Sequence, residues 1–123
     1  DPGSLAVLGF KAGLSVELSD LTLDPAAPNI GGSARLTFTI TSTLPETQPV
    51  MVDYAVHYVK ADGSTSPQVF RLGSLEMEPG VPATYSRKLS FRQMTTRVHR
   101  PGTHRIDVLT NGAIAGSLEF ELS

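Results

Sequence analysis

The residues able to perform acid–base or metal chemistry are few in this sequence. Histidine occurs at three positions, His57, His99 and His104, and cysteine is absent. No two of these histidines have the spacing, four residues on a helix or two on a strand, that directs two side chains to one metal ion. The sequence therefore predicts no metal site and no cofactor.

One carboxylate precedes a histidine on the same predicted strand. Asp53 and His57 are four residues apart on one face, which places them about 13 Å apart in an extended chain. That distance excludes a direct acid–base pair, and we expect both side chains to face solvent. The sequence also lacks a nucleophile elbow, a phosphate-binding glycine loop and a zinc-protease helix. These observations predict a domain that is not an enzyme and has no catalytic residue.

The distribution of charge is the most informative feature. The net charge is -2, yet no carboxylate occurs between Glu78 and Asp107, a segment that contains six of the ten basic residues. A basic strand and loop of this kind is typical of a surface that contacts phosphates. The candidate contact residues are Lys88, Arg92, Arg97, His99, Arg100 and Arg105.

The same arginines have an alternative interpretation. They either solvate an exposed loop or form ion pairs with carboxylates of neighbouring strands. The carboxylates available for such pairs are Asp53, Asp62, Glu76 and Glu78. Charge alone does not decide between a binding surface and a neutralised one.

Alternation of apolar and polar residues predicts the elements that carry these side chains. Asn111-Gly112 separates the last two predicted strands and indicates a tight hairpin. The first segment is either one strand or a strand pair. The predicted strands are Leu14–Leu23, Ser33–Thr43, Val50–Lys60, Val69–Leu75, Tyr85–Phe91, Thr103–Leu109 and Ala113–Leu122.

Seven short strands without an amphipathic helix indicate an all-β fold. We predict an immunoglobulin-like or fibronectin type III-like β-sandwich of about seven antiparallel strands over residues 14–123. Residues 1–13 are expected to be a linker or an artificial start of the chain. His104, in Pro101-Gly102-Thr103-His104, is expected to be a structural residue at a strand corner.

Composition adds expectations about location and assembly. The absence of cysteine fits a reducing compartment, so we expect a cytoplasmic protein. No apolar run is long enough to span a membrane, and the chain starts without the features of a signal peptide. We also expect the domain to be a monomer.

Five segments share the pattern of one known family. They are Val52–Gly63, Pro67–Leu72, Ser90–Arg97, Pro101–His104 and Asn111–Gly112. These segments resemble the C-terminal immunoglobulin-like domain of bacterial DNA alkylation repair proteins, the HEAT-like-repeat alkylpurine DNA glycosylases of the AlkC subgroup. The likeness covers roughly residues 14–122, and its most specific part is Phe91–Arg97.

The resemblance implies a function. In that family an N-terminal helical-repeat domain carries the catalytic acidic residue, and the immunoglobulin-like domain helps to embrace DNA. This chain would then be a non-catalytic accessory domain in base excision repair. Its partners would be duplex DNA, bound weakly and without sequence preference, and the HEAT-like-repeat domain of the same polypeptide.

A second hypothesis assigns the domain a structural role. It would pack on the helical-repeat domain without touching DNA. Paired arginines, together with exposed apolar surface near Phe70, Met94 or Val98, would favour this hypothesis.

Overall fold

The computed structural model describes Leu5–Ala6, as backbone only, and residues 15–123. The strands are β1 (Leu5–Ala6), β2 (Val16–Asp24), β3 (Ser33–Ser42), β4 (Gln48–Val59), β5 (Thr65–Met77), β6 (Pro82–Ser90), β7 (Gly102–Thr110) and β8 (Ala113–Leu122). Over the ranges just given, the chain forms no helix that could cross a lipid bilayer.

The strands form two antiparallel sheets. One has the order β1-β8-β7-β4-β5 and the other has the order β2-β3-β6. The expected all-β sandwich is confirmed, and each of the seven predicted strands is present. The short strand β1 falls within the segment expected to be a linker, and Leu5 and Ala6 pair with Leu118 and Ser117.

The core lies between the two sheets, where alternate side chains of facing strands meet. Its centre is formed by branched aliphatic residues and Phe38, because β-branched and aromatic side chains pack well on a pleated surface. Leu36, Phe38, Ile40, Val50, Val52, Val56, Ile106 and Val108 each expose at most 1% of their surface.

Strand β2 is one strand with an irregularity, not a strand pair. Asp20 has a φ of 54°, and the register with β3 shifts between Ser19 and Thr22. The extra residue reverses the alternation, so Leu21 and Leu23 point into the core. This accounts for the three-residue spacing between Leu18 and Leu21.

The hairpin between β7 and β8 has the predicted turn. Asn111 and Gly112 have φ values of 51° and 83°, as a type I′ turn requires. The backbone N–H of Met51 donates to Asn111 Oδ1 over 2.8 Å. Asn111 therefore also ties this turn to β4.

One open side of the sandwich positions the basic segment. Strands β5 and β6 are edge strands of different sheets. Residues of both strands line one groove, together with residues of β4 and of the loop between β6 and β7. We call residues 91–101 the β6–β7 loop and this depression the edge groove.

Candidate nucleic-acid interface

The β6–β7 loop contains a small hairpin of its own. Met94 N donates to Arg97 O over 3.1 Å, and Arg97 N donates to Met94 O over 3.2 Å. Thr95 and Thr96 form the exposed tip. The basic segment is thus a folded projection whose side chains have defined positions.

Two sets of hydrogen bonds fix the base of this loop. Gln93 Nε2 donates to His99 O over 2.9 Å, and His99 N donates to Gln93 Oε1 over 2.6 Å. Phe91 exchanges two backbone hydrogen bonds with Gly31 and Gly32 of the β2–β3 loop. Since these bonds hold both arms, the loop starts and ends at fixed points.

Arg97 lies over aromatic rings at the edge groove. Its Cζ atom is 4.8 Å from the ring centroid of Tyr58 and 5.6 Å from that of Phe70. Its Nη1 donates to the Tyr58 hydroxyl over 3.3 Å. Burial raises the pKa of Tyr58 despite the opposing effect of Arg97, so the ring stays neutral. The guanidinium is held by cation–π contact and keeps its full charge.

The edge groove combines aromatic and basic side chains. Its cavity volume is about 250 Å³. Stacking surfaces next to cations are the features that bind unpaired nucleic acid. The lining residues are Tyr54, Tyr58, Phe70, Lys88, Leu89, Ser90, Arg92, Met94, Arg97 and His99.

Three of the lysine and arginine residues in the predicted contact set line this groove, and a fourth, Arg100, is exposed in the same loop. Lys88, Arg92 and Arg97 line it, and Arg100 follows the buried His99 as an exposed residue. In the part of the chain described here, none of these four forms an ion pair with a carboxylate. Their charge is uncompensated, whereas the structural hypothesis predicts arginines that are paired with carboxylates.

His99 has a different environment from the surface position expected of it. It exposes 4% of its surface and packs against Phe91 and Tyr58, with ring centroids 5.5 Å and 5.6 Å away. Burial lowers its pKa, with smaller effects of Arg97 and His104. A neutral, enclosed imidazole anchors the loop and does not present a charge to a ligand.

The structural role expected of His104 is confirmed. It exposes 1% of its surface, and its Nδ1 lies 3.0 Å from the carbonyl oxygen of Gly102. Burial lowers its pKa as well. Within residues 15–123, His104 Nε2 and His99 Nδ1 have no hydrogen-bond partner.

Arg105 points away from the edge groove, to the outer face of the five-stranded sheet. Its Nε donates to Asp107 Oδ1 over 2.9 Å. Asp107 also accepts from Ser117 Oγ at 2.5 Å and lies 2.8 Å from His57 Nε2. We call Asp107, Arg105, His57 and Ser117 the Asp107 cluster.

The Asp107 cluster stabilises a buried negative charge. Burial opposes ionisation of Asp107, but hydrogen bonds from Arg105, Ser117 and His57 outweigh it and hold its pKa below the usual value. The carboxylate stands between the serine and the histidine, so His57 cannot activate Ser117 as a nucleophile. Residues 15–123 contain no group of three side chains placed to hold a metal ion.

The expectation of solvent-facing positions for Asp53 and His57 was wrong. Asp53 exposes 5% of its surface, and Arg71 Nε donates to its Oδ1 over 2.9 Å. The physical reason is that β4 lies between β5 and β7. Arg71 of β5 contacts Asp53, and Asp107 of β7 contacts His57. A single strand pattern does not show these contacts.

The loop also exposes apolar side chains. Met94 exposes 52% of its surface and Val98 exposes 54%. Exposed apolar surface at these positions is the second feature that the structural hypothesis predicts. The surface therefore combines uncompensated cations with two exposed apolar groups.

Comparison with known proteins identifies related sequences. A family model described as "Uncharacterised protein YhaZ, C-terminal Ig-like domain" matches residues 17–123. The protein YhaZ of Bacillus subtilis (strain 168) is 34% identical over 122 residues, which are 99% of this chain and 34% of that protein. The chain thus spans about a third of this relative.

Solved structures show the same fold. The alkylpurine DNA glycosylase AlkC of Pseudomonas fluorescens, solved bound to DNA containing an abasic site analog, has a TM-score of 0.86 and 41% identity. The match covers 91% of this chain and 31% of that one. A beta-glucosidase from Listeria innocua has a TM-score of 0.70 at 20% identity, covering 88% of this chain and 16% of its own. The second likeness concerns the fold alone.

Proposed function

The chain belongs to the family of YhaZ C-terminal Ig-like domains, and from this premise we propose that it is a non-catalytic, DNA-contacting accessory domain of a DNA alkylation repair glycosylase. The similarity to AlkC supports its place as a C-terminal domain of a repair protein. The observation that carries DNA contact is the folded β6–β7 loop, whose arginines have no carboxylate partner in residues 15–123.

Four side chains form the proposed contact surface. Arg92, Arg97, Arg100 and Lys88 contact phosphates or reach into a groove of the duplex beside the lesion. Arg105, neutralised by Asp107, is left out of this set. His99, which is buried, supports the loop from below.

The proposed contacts are electrostatic and independent of sequence. Each phosphate contact displaces a counterion, so affinity falls as salt rises. We expect a Kd of about 10⁻⁴ to 10⁻⁶ M for the domain by itself. In the whole protein such contacts help to hold bent DNA while the chemistry takes place on a HEAT-like-repeat domain of the same polypeptide. The domain acts as a monomer in the cytoplasm.

The first test compares two double variants by titration of labelled duplex DNA at low and moderate salt. Arg92→Ala/Arg100→Ala removes two proposed contacts, and Lys60→Ala/Arg71→Ala removes two exposed cations outside the edge groove. We expect the first variant to bind more weakly and to lower the slope of log K against log salt by about 2. We expect the second variant to keep the slope of the unmodified chain.

The same titration distinguishes DNA contact from the structural hypothesis, in which the domain packs on the helical-repeat domain. Exposed Met94 and Val98 favour packing of the loop on the helical-repeat domain. Absence of DNA binding by the unmodified chain at low salt and millimolar protein would overturn DNA contact and favour this packing role. Equal losses in both double variants would overturn the assignment of the contact surface.

A further inference from the structure

Three planar groups lie close together along one wall of the edge groove. The ring centroids of Tyr54 and Phe70 are 5.1 Å apart, with an angle of 21° between the planes. The guanidinium carbon of Arg97 follows, 5.6 Å from the Phe70 centroid. The same carbon is nearer to the ring of Tyr58, at 4.8 Å from its centroid, so Arg97 contacts two aromatic rings.

Arg97 is held in a way that suits stacking as well as contact with a phosphate. One of its amino groups already donates to the Tyr58 hydroxyl, and its guanidinium carbon lies 4.8 Å and 5.6 Å from the ring centroids of Tyr58 and Phe70. A guanidinium fixed over rings offers a planar outer face, and nucleobases stack on such faces. The aromatic rings thus pre-organise a surface that a flexible surface arginine does not provide.

The size of the groove restricts what can reach this surface. Its volume of about 250 Å³ is at the small end of ligand clefts, and its walls come from two strand edges. A paired, stacked duplex has no base face free to enter such a cleft. One unpaired base has both faces free.

Other side chains at the groove suit the rest of a nucleotide. Lys88 and Arg92 line it and have no ion-pair partner among residues 15–123. Met94 lines it as well and exposes 52% of its surface. Two cations match the phosphates on either side of a base, and a thioether packs well against the edge of an aromatic ring.

We propose that the edge groove is a binding site for a single unpaired nucleotide of DNA, with the base stacked on the outer face of Arg97 and the flanking phosphates held by Lys88 and Arg92. This site rests on the proposed function and makes it more specific. It gives the domain a preference for DNA in which a base has left the helix. The domain then distinguishes disturbed from regular DNA without reading sequence.

The test compares a regular duplex with one that carries a single-nucleotide bulge of 2-aminopurine, a fluorescent adenine analogue. For the unmodified chain we expect binding to the bulged duplex to be about tenfold tighter, as stacking of one base allows. We also expect 2-aminopurine emission to change on binding. The ratio of the two affinities and the emission change are the readouts.

Three variants assign the effect to the stack. Arg97→Lys keeps the charge and loses the plane, and Phe70→Leu removes the ring beneath it; both should bring the affinity ratio close to one. Arg35→Lys makes the same chemical change at an exposed site outside the groove and should keep the ratio. Circular dichroism checks that each variant is folded.

The failures of this inference and of the proposed function differ. Equal binding of both duplexes by the unmodified chain would overturn the nucleotide site and leave DNA contact standing. A preference that Arg97→Lys and Phe70→Leu both retain would also overturn the site. No binding to either duplex would overturn both proposals.

Discussion

On the outer face of the five-stranded sheet, Arg105 lies 2.9 Å from the carboxylate of Asp107, whereas in the β6–β7 loop Arg97 lies over the uncharged rings of Tyr58 and Phe70. Both guanidinium groups have fixed positions. Only the second keeps a charge that no neighbouring carboxylate in residues 15–123 offsets.

This difference shows how one residue type serves two ends. A buried carboxylate is costly unless donors surround it, so Arg105 is committed to the stability of the fold. Aromatic rings orient a cation without neutralising it, so Arg97 remains available to an anion or a base. The partner of an arginine, more than its exposure, therefore indicates whether it can bind a ligand.

The strongest way to break the comparison is to remove the charge of the Asp107 cluster. Asp107→Asn keeps the shape but sets an amide group against three donors. We expect the free energy of unfolding to fall by about 3 kcal/mol, measured by urea denaturation. Glu17→Gln, at an exposed site on β2 of the other sheet, is the control and should cost less than about 0.5 kcal/mol. A similar loss in both variants would contradict the role given to the cluster.

The next test compares the two arginines directly. Arg105→Ala leaves Asp107 with fewer donors and should cost about 1.5 kcal/mol of stability, a value reduced because the Arg105 side chain is 40% exposed. Arg97→Ala loses a cation–π contact and should cost about 0.5 to 1 kcal/mol. For DNA affinity we expect the reverse order. If Arg105→Ala weakened DNA binding more than Arg97→Ala, the comparison would be wrong.

A smaller effect concerns the anchor of the loop. Gln93→Ala removes both hydrogen bonds to the backbone of His99 and should cost about 1 kcal/mol. Faster amide hydrogen exchange is expected at Met94 and Arg97, whose mutual hydrogen bonds depend on the fixed base of the loop. Gln68→Ala, at an exposed position of β5, is the control and should leave these exchange rates unchanged.

The smallest expected effect is a dependence of stability on pH. Burial lowers the pKa of His99 and of His104, so as pH falls below about 6.5 the unfolded chain binds protons first. The free energy of unfolding should therefore decrease between pH 7 and 5.5, by less than the roughly 1.4 kcal/mol per pH unit that full uptake of one proton would give for each imidazole. The lowered pKa of Asp107 acts at more acidic pH.

The variant His99→Phe tests how much His99 contributes to the pH dependence of stability. A phenyl ring can occupy the space between Phe91 and Tyr58 but takes up no proton. The slope of stability against pH should be smaller in this variant than in the unmodified chain. The charged groups near the two imidazoles are Arg97 and Glu121. An unchanged slope would show that His99 does not contribute.

Local pattern was sufficient to predict the strands and the last hairpin. Strand β8 has the predicted bounds, and Asn111-Gly112 forms the turn that its residue types require. These features depend on alternation and on φ preferences, which neighbouring residues determine. The absence of carboxylates around Arg92, Arg97 and Arg100 was likewise visible in the order of residues.

The contacts of the site could not be predicted in the same way. The Asp107 cluster joins residues from β4, β7 and β8, and its geometry depends on the register between strands far apart in sequence. The position of Arg97 over Phe70 depends on the meeting of the β6–β7 loop with an edge strand. One sequence signal for these contacts is the block Val52–Tyr58. In it a buried strand contains an aspartate and a histidine, each followed by a tyrosine, which indicates that these polar side chains need partners.

The long edge strand β5 has one more consequence. Its thirteen residues offer backbone groups to which another chain could add, the usual origin of aggregation in β proteins. Pro67 has no N–H to donate, and at Gly73, with a φ of 133°, the register with β4 is irregular. Both features interrupt a regular row of donors and acceptors. The strand thus resists fibre formation, while its own residue Phe70 lines the edge groove.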